Sequence, residues 1–96
     1  MRLVYADRAV SDVARLRDFI SQHDPSAAAR IATELVARIE HLLRFPLMGR
    51  LVDESPEPQH IRDLIVSDYI VRYLPTDEAI IVLRVWHHRE QRPPAG

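Results

Sequence analysis

Arg84, Trp86, His88 and Arg89 bring two guanidinium groups, an indole and an imidazole into a short stretch near the C-terminal end. Imidazole exchanges protons near neutral pH, and guanidinium grips phosphate or carboxylate through a planar fork. Trp and Arg are also the residue types that dominate binding hot spots. Acid–base work, anion binding and partner recognition are therefore all open to this segment. A second imidazole, His87, together with His60, raises the question of a metal. Adjacent strand residues face opposite sides of a sheet, so His87 and His88 are not expected to grip one ion. No cysteine and no HxxxH or HExxH spacing adds ligands. The expected metal and cofactor content is none, and no catalytic residue is assigned.

Composition narrows the choice. All 13 basic residues are arginine, so no lysine can act as general base or phosphate clamp. With no cysteine there is neither a disulfide framework nor a thiolate nucleophile. Arginine without lysine follows from G- and C-rich codons as readily as from phosphate recognition. The formal net charge is −1, and residues 60–96 hold five Arg against five Asp/Glu. A protein bound to nucleic acid mainly through its phosphates should be more basic than this. The 96 residues, 47% apolar and 28% charged, suit one soluble domain with a modest core. The N-terminal residues carry no long apolar stretch, so neither a signal peptide nor a membrane span is expected, and the expected compartment is the cytoplasm.

The elements that must position these side chains follow from periodicity. A short strand opens the chain. Val10, Val13, Leu16 and Ile20 then recur at helical spacing over residues 8–22, with Asp7 as N-cap and Asp12, Arg15 and Asp18 off that stripe. Asp24-Pro25 is a strong second start signal, a capping carboxylate followed by a ring that needs no N–H. The second helix is expected over 25–44, with Ala28, Ile31, Ala32, Leu35, Ile39 and Leu42 inward and Arg30, Glu34, Arg38 and His41 outward. So short a connection makes the two helices an antiparallel hairpin.

Residues 50–59 read as an exposed acidic loop. Three β-rich runs follow, 61–66, 69–74 and 79–87, joined by turn residues, which predicts an antiparallel meander. In the last run Ile81, Leu83 and Val85 fall on one side, and Ile80, Val82, Arg84 and Trp86 on the other. Apolar residues on both sides predict an interior strand. The fold class is α+β, in the order β-α-α-β-β-β, with the hairpin on one face of an antiparallel sheet. One domain spans 1–91, and 92–96 form a flexible tail.

Five segments in this order resemble the RelE/ParE toxin superfamily: Pro25-Ser26-Ala27-Ala28-Ala29, Phe45-Pro46-Leu47-Met48-Gly49-Arg50, Ile61-Arg62-Asp63-Leu64-Ile65-Val66, Tyr69-Ile70-Val71-Arg72-Tyr73, and Val82-Leu83-Arg84-Val85-Trp86-His87-His88-Arg89. The resemblance covers nearly the whole chain. It implies a RelE-like α+β fold and a cognate antitoxin, ParD-like or another small type, through which alone DNA would be bound. It also implies one of two targets. RelE-type members cleave mRNA on the ribosome, whereas ParE-type members inhibit DNA gyrase without being nucleases.

In RelE-like ribonucleases, basic residues of the second and third strands meet the charge that develops during cleavage. The matching positions here are Ile61, Asp63 and Ile70, so the sequence leans to ParE and gyrase. His88 and Arg89 keep the ribonuclease alternative open, and a non-toxic interaction module is a third reading. The target surface is expected around Arg84, Trp86, His88 and Arg89. The antitoxin is expected on Ile31, Leu35 and Arg38 of the helical hairpin and on Arg62 and Arg72 of the sheet. Arg62, Arg72 and Arg84 can equally pair with carboxylates on neighbouring strands, and Trp86 can equally belong to the core.

Overall fold

A computed structural model describes residues 1–53 and 60–90. The elements are β1 (Arg2–Tyr5), α1 (Asp7–His23), α2 (Pro25–His41), β2 (Arg50–Leu51), β3 (Arg62–Val66), β4 (Tyr69–Pro75) and β5 (Ala79–His87). Asp24 alone links the helices. Its extended backbone breaks α1, and its carboxylate accepts from Ala27 N–H at 3.1 Å, which caps α2 as the sequence predicts.

The sheet runs β1-β5-β4-β3-β2. From β2 to β5 every pairing is antiparallel, but β1 lies parallel to β5, from Arg2 opposite Ala79 to Tyr5 opposite Val82. The sheet is therefore mixed, not purely antiparallel. The helical hairpin carries the chain across one face of the sheet before the meander begins, which leaves β1 available to the far edge of β5.

Two residues of the expected loop, Arg50 and Leu51, form the short edge strand β2 against Asp63 and Arg62. A pair this short has no alternation to read. The acidic part of that loop, residues 54–59, and the expected tail both lie outside the described residues. α2 also stops three residues early. Leu42, Leu43 and Arg44 donate to the carbonyls three residues back, a tighter winding that closes the helix ahead of Pro46.

One core forms between the hairpin and the sheet. Ala9 and Leu16 of α1 and Ile39 and Leu42 meet Leu64, Val66, Tyr69, Val71, Tyr73, Ile80, Val82 and Val85. The face of α1 differs from the expected stripe. Val10 and Val13 are 56% and 38% exposed, whereas Ala9, Asp12 and Leu16 turn inward. A bulge in β5 changes the expected alternation as well. Tyr73 pairs with Val82 but Arg72 pairs with Arg84, which leaves Leu83 unpaired. Val82 and Val85, expected on opposite sides, thus both reach the core.

The family segment Phe45–Arg50 has a physical explanation at the open end of the sheet. The Tyr73 hydroxyl donates to Pro46 O at 2.8 Å and accepts from Gly49 N–H at 2.8 Å. Arg62 donates from Nη1 to the carbonyls of Leu47 and Gly49, at 3.1 and 2.6 Å. A Cβ at Gly49 would lie 2.7 Å from a Tyr73 ring carbon and 2.8 Å from Asp63 O, so only glycine fits. Gly49→Ala is expected to cost ~1–3 kcal/mol through overpacking, and Tyr73→Phe ~1–3 kcal/mol through the buried groups it strands. Denaturant unfolding midpoints check both; a Gly49→Ala midpoint equal to wild type would contradict the close approach.

Candidate functional site

The end of β5 and the α1 residues beneath it form a connected polar network. Parallel pairing of β1 with β5 ends where Ala6 N–H donates to Val82 O at 2.9 Å. Past that rung β5 has no strand on this side, and a buried N–H there needs another partner. Asp12 supplies it. Its carboxylate, 2% exposed, accepts from Val85 N–H at 2.9 Å and from Arg84 Nε and Nη2 at 2.8 and 3.0 Å. Arg15 Nη1 donates to the same carboxylate at 2.8 Å.

Burial alone would raise the Asp12 pKa. The hydrogen bonds from Arg84, Val85 and Arg15 outweigh it and hold the carboxyl below its ordinary value. The Asp12 hydrogen bond correspondingly raises Arg84. Asp12 was expected off the buried stripe of α1. Ala9, Asp12 and Leu16 also share helical spacing, and a carboxylate on that line was the available signal.

The network extends outward. Arg15 Nη2 lies 3.3 Å from Glu90 Oε1, and that oxygen accepts from His87 N–H, also at 3.3 Å. His88 N–H donates to Asp68 O at 2.8 Å, which ties the end of β5 to the β3–β4 turn. Between α1 and this strand end lies a cleft of about 540 Å³, lined by Arg15, Phe19, Tyr69, His87, Arg89 and Glu90 among others. Burial, with the Asp68 carboxylate nearby, pushes the Tyr69 phenol above its ordinary value, so it stays protonated at neutral pH. The cleft thus gathers an imidazole, a phenol and two guanidinium groups. Phe19, Tyr69 and Glu90 were not singled out from sequence, because their meeting depends on how α1 crosses β5.

The expected target residues divide by exposure. Arg84 is engaged by Asp12, and Trp86 is 6% exposed with the Arg72 guanidinium 5.1 Å from its ring centre. His88 and Arg89 stand at the surface.

The expected antitoxin residues divide by side. Ile31 and Leu35 are partly buried against the core, and Arg38 is half-buried. Arg62 pairs with Tyr73 on the helix side of the sheet. Arg72 pairs with Asp63 on the other side and is held by it through Nε and Nη2 at 2.9 and 3.0 Å. Asp63 therefore takes the carboxylate role that sequence left open for Arg72, while Arg84 turns to Asp12. His87 and His88 do not diverge as adjacent strand residues would. β5 ends at His87, and the two rings stack with centres 4.7 Å apart and planes 25° from parallel.

A helical hairpin on one face of a small mixed sheet, with β1 beside the last strand, defines the RelE/ParE-like toxin fold. The family described as the ParE toxin of the type II toxin–antitoxin system parDE matches residues 3–92, and the chain belongs to it. It is a type II toxin–antitoxin toxin, as the sequence resemblance implied. A toxin named RelE2 from Caulobacter vibrioides is 32% identical over 87 residues, covering 90% of this chain and 93% of that protein. RelE1 of the same organism is 35% identical over 85 residues, covering 88% and 90%. Among solved structures, one titled as the chromosomal ParDE TA system from P. aeruginosa shares the fold at a TM-score of 0.73. It is 19% identical, with 91% of this chain and 95% of that chain covered. No helix among the described residues is long and apolar enough to cross a membrane.

Asp12→Ala leaves Arg84 and Val85 N–H without their buried acceptor and is expected to cost ~3–5 kcal/mol. The pH dependence has a definite sign. The folded-state pKa of Asp12 lies below its unfolded value of about 3.9. Its contribution is therefore fully present above that value and disappears as pH falls through the lower folded one. The stability gap between wild type and Asp12→Asn should narrow below about pH 4. A gap that stays constant down to acid unfolding contradicts the assignment.

Proposed function

We propose that this toxin acts by binding DNA gyrase rather than by cutting mRNA. The observation that carries this reading is that the arginines of the two central strands, Arg72 of β4 and Arg84 of β5, are each paired with a carboxylate. Asp63 takes Arg72 in a two-point pair and Asp12 takes Arg84. In-line RNA cleavage calls for cations aimed at developing phosphorane charge, and a guanidinium already neutralised by a carboxylate answers that poorly. His88 and Arg89 supply the exposed contact groups. Behind them, Arg84 fixes the strand end and Trp86 stiffens it.

The partner in this reading is a cognate, ParD-like antitoxin that lays an amphipathic segment across the hairpin. Val10, Val13 and Phe19 of α1 and Val36 of α2 are exposed there and support such docking. DNA would be reached only through that antitoxin. The cleft beside His87 favours a second reading, a ribosome-dependent endoribonuclease, and the similar Caulobacter vibrioides proteins bear the name RelE.

Two assays divide these readings. The purified chain is expected to block supercoiling by gyrase and to leave mRNA intact in a purified translation system. Codon-specific mRNA fragments with gyrase unaffected would reverse the assignment. His88→Ala and Arg89→Ala are expected to relieve growth arrest while shifting stability by less than about 0.5 kcal/mol. Variants that fold normally and remain fully toxic would move the contact surface elsewhere. For the antitoxin, hydrogen exchange should slow along α1 and α2 on binding; protection confined to residues after Arg89 would exclude hairpin docking.

A further inference from the structure

Asp68, His87 and His88 come together where the β3–β4 turn meets the end of β5, and neither folding nor gyrase binding accounts for all three. We propose that they form a binding site for a single divalent transition-metal ion of the zinc class. Each offers one ligand atom, and these atoms all lie within 4.8 Å of one another. His88 Nε2 is already 3.7 Å from Asp68 Oδ1.

Zinc binds imidazole nitrogen and carboxylate oxygen at about 2.0–2.2 Å, which sets tetrahedral ligand atoms about 3.3–3.5 Å apart. The cluster is thus about an ångström wider than a loaded site. Side-chain rotation can close that gap, because the Asp68 and His88 side chains are 70% and 53% exposed. The backbone beneath is fixed, by Tyr69 paired opposite His87 and by His88 N–H bonded to Asp68 O at 2.8 Å.

The donor set selects the ion. Two imidazoles and one carboxylate suit zinc, nickel or copper, whereas magnesium and calcium prefer all-oxygen shells. His87 Nδ1 accepts from Arg89 N–H at 3.1 Å. In the metal-free protein that bond leaves the proton on Nε2. Capture through Nδ1 displaces the bond directly, and capture through Nε2 requires the other tautomer, so the Arg89 amide is released either way. Metal binding would therefore loosen the turn that carries Arg89. Three protein ligands leave a fourth position for water or an outside oxygen donor. Asp68 and His87 also line the 540 Å³ cleft, which gives such a donor a place to enter.

The test is calorimetric titration of the full, untagged chain with zinc, paired with visible absorption on cobalt substitution. One ion per chain is expected, with cobalt bands of nitrogen- and oxygen-ligated character. Asp68→Asn and His88→Gln should each weaken zinc binding at least tenfold. Both sites are exposed, so the metal-free thermal midpoints should match wild type, and zinc should raise the midpoint only in wild type. A His23→Gln, His41→Gln double variant should bind as wild type does. Absence of saturable zinc binding in the sub-millimolar range overturns the proposal. So does an Asp68→Asn, His88→Gln double variant that binds as tightly as wild type, or binding that disappears with His23 and His41 instead. The cobalt spectrum reads ligation in the unmodified chain and so does not depend on how any variant folds.

Discussion

The buried carboxylate of Asp12 is the interaction on which the arrangement around the end of β5 depends. β1 is too short to satisfy the whole outer edge of β5, and a strand edge inside a protein cannot leave its N–H groups without acceptors. Asp12 continues the ladder with a side chain, accepting from Val85 N–H and from two nitrogens of Arg84. A buried carboxylate is costly unless it is paired and fully hydrogen-bonded, and this one is both. The same group sets the rotation of α1 about its axis. Asp12 must face the sheet, so Ala9 and Leu16 go inward with it and Val10 and Val13 go to the surface.

At the opposite end of the sheet, Tyr73 and Arg62 hold the Phe45–Gly49 segment through its backbone. That segment must approach Tyr73 so closely that no side chain fits at position 49. Its own apolar residues Phe45, Leu47 and Met48 are left exposed. Both ends therefore use the same device, in which a polar side chain satisfies backbone groups that a ladder does not reach. On the sheet face away from the helices, Asp63, Arg72 and Trp86 form a third polar arrangement, joining an ion pair to a cation–π contact.

This use of arginine bears on function. The chain has 13 arginines and a net charge of −1, and Arg62, Arg72 and Arg84 of the three long strands hold structure. A fold shared by toxins with different targets does not choose between them. What differs at the surface bears on that choice: His88 and Arg89 are exposed beside a cleft with its own aromatic lining, whereas Arg72 and Arg84 are paired with Asp63 and Asp12. In the function proposed above, a protein target would use these exposed groups directly, while strand-borne phosphate chemistry would need the cations that Asp12 and Asp63 occupy.

The sequence by itself determined the two helices, the Asp24-Pro25 break between them, the three long strands and the family. Each of these rests on local periodicity, capping chemistry or motif order, which neighbouring residues encode without help from the rest of the chain. Only the tertiary structure decided that β1 runs parallel to β5, that β5 bulges at Leu83, and that Arg50 and Leu51 add an edge strand. It also decided that Asp12 is inside, that Arg62 and Arg72 face opposite sides, and that His87 and His88 stack. The reason is the same in each case. Asp12 and Arg84 are 72 residues apart, and α1 offers two overlapping lines of inward residues whose local spacing is equally good. Which line is buried depends on where a distant strand has an unmet N–H, and that quantity exists only once the sheet has formed.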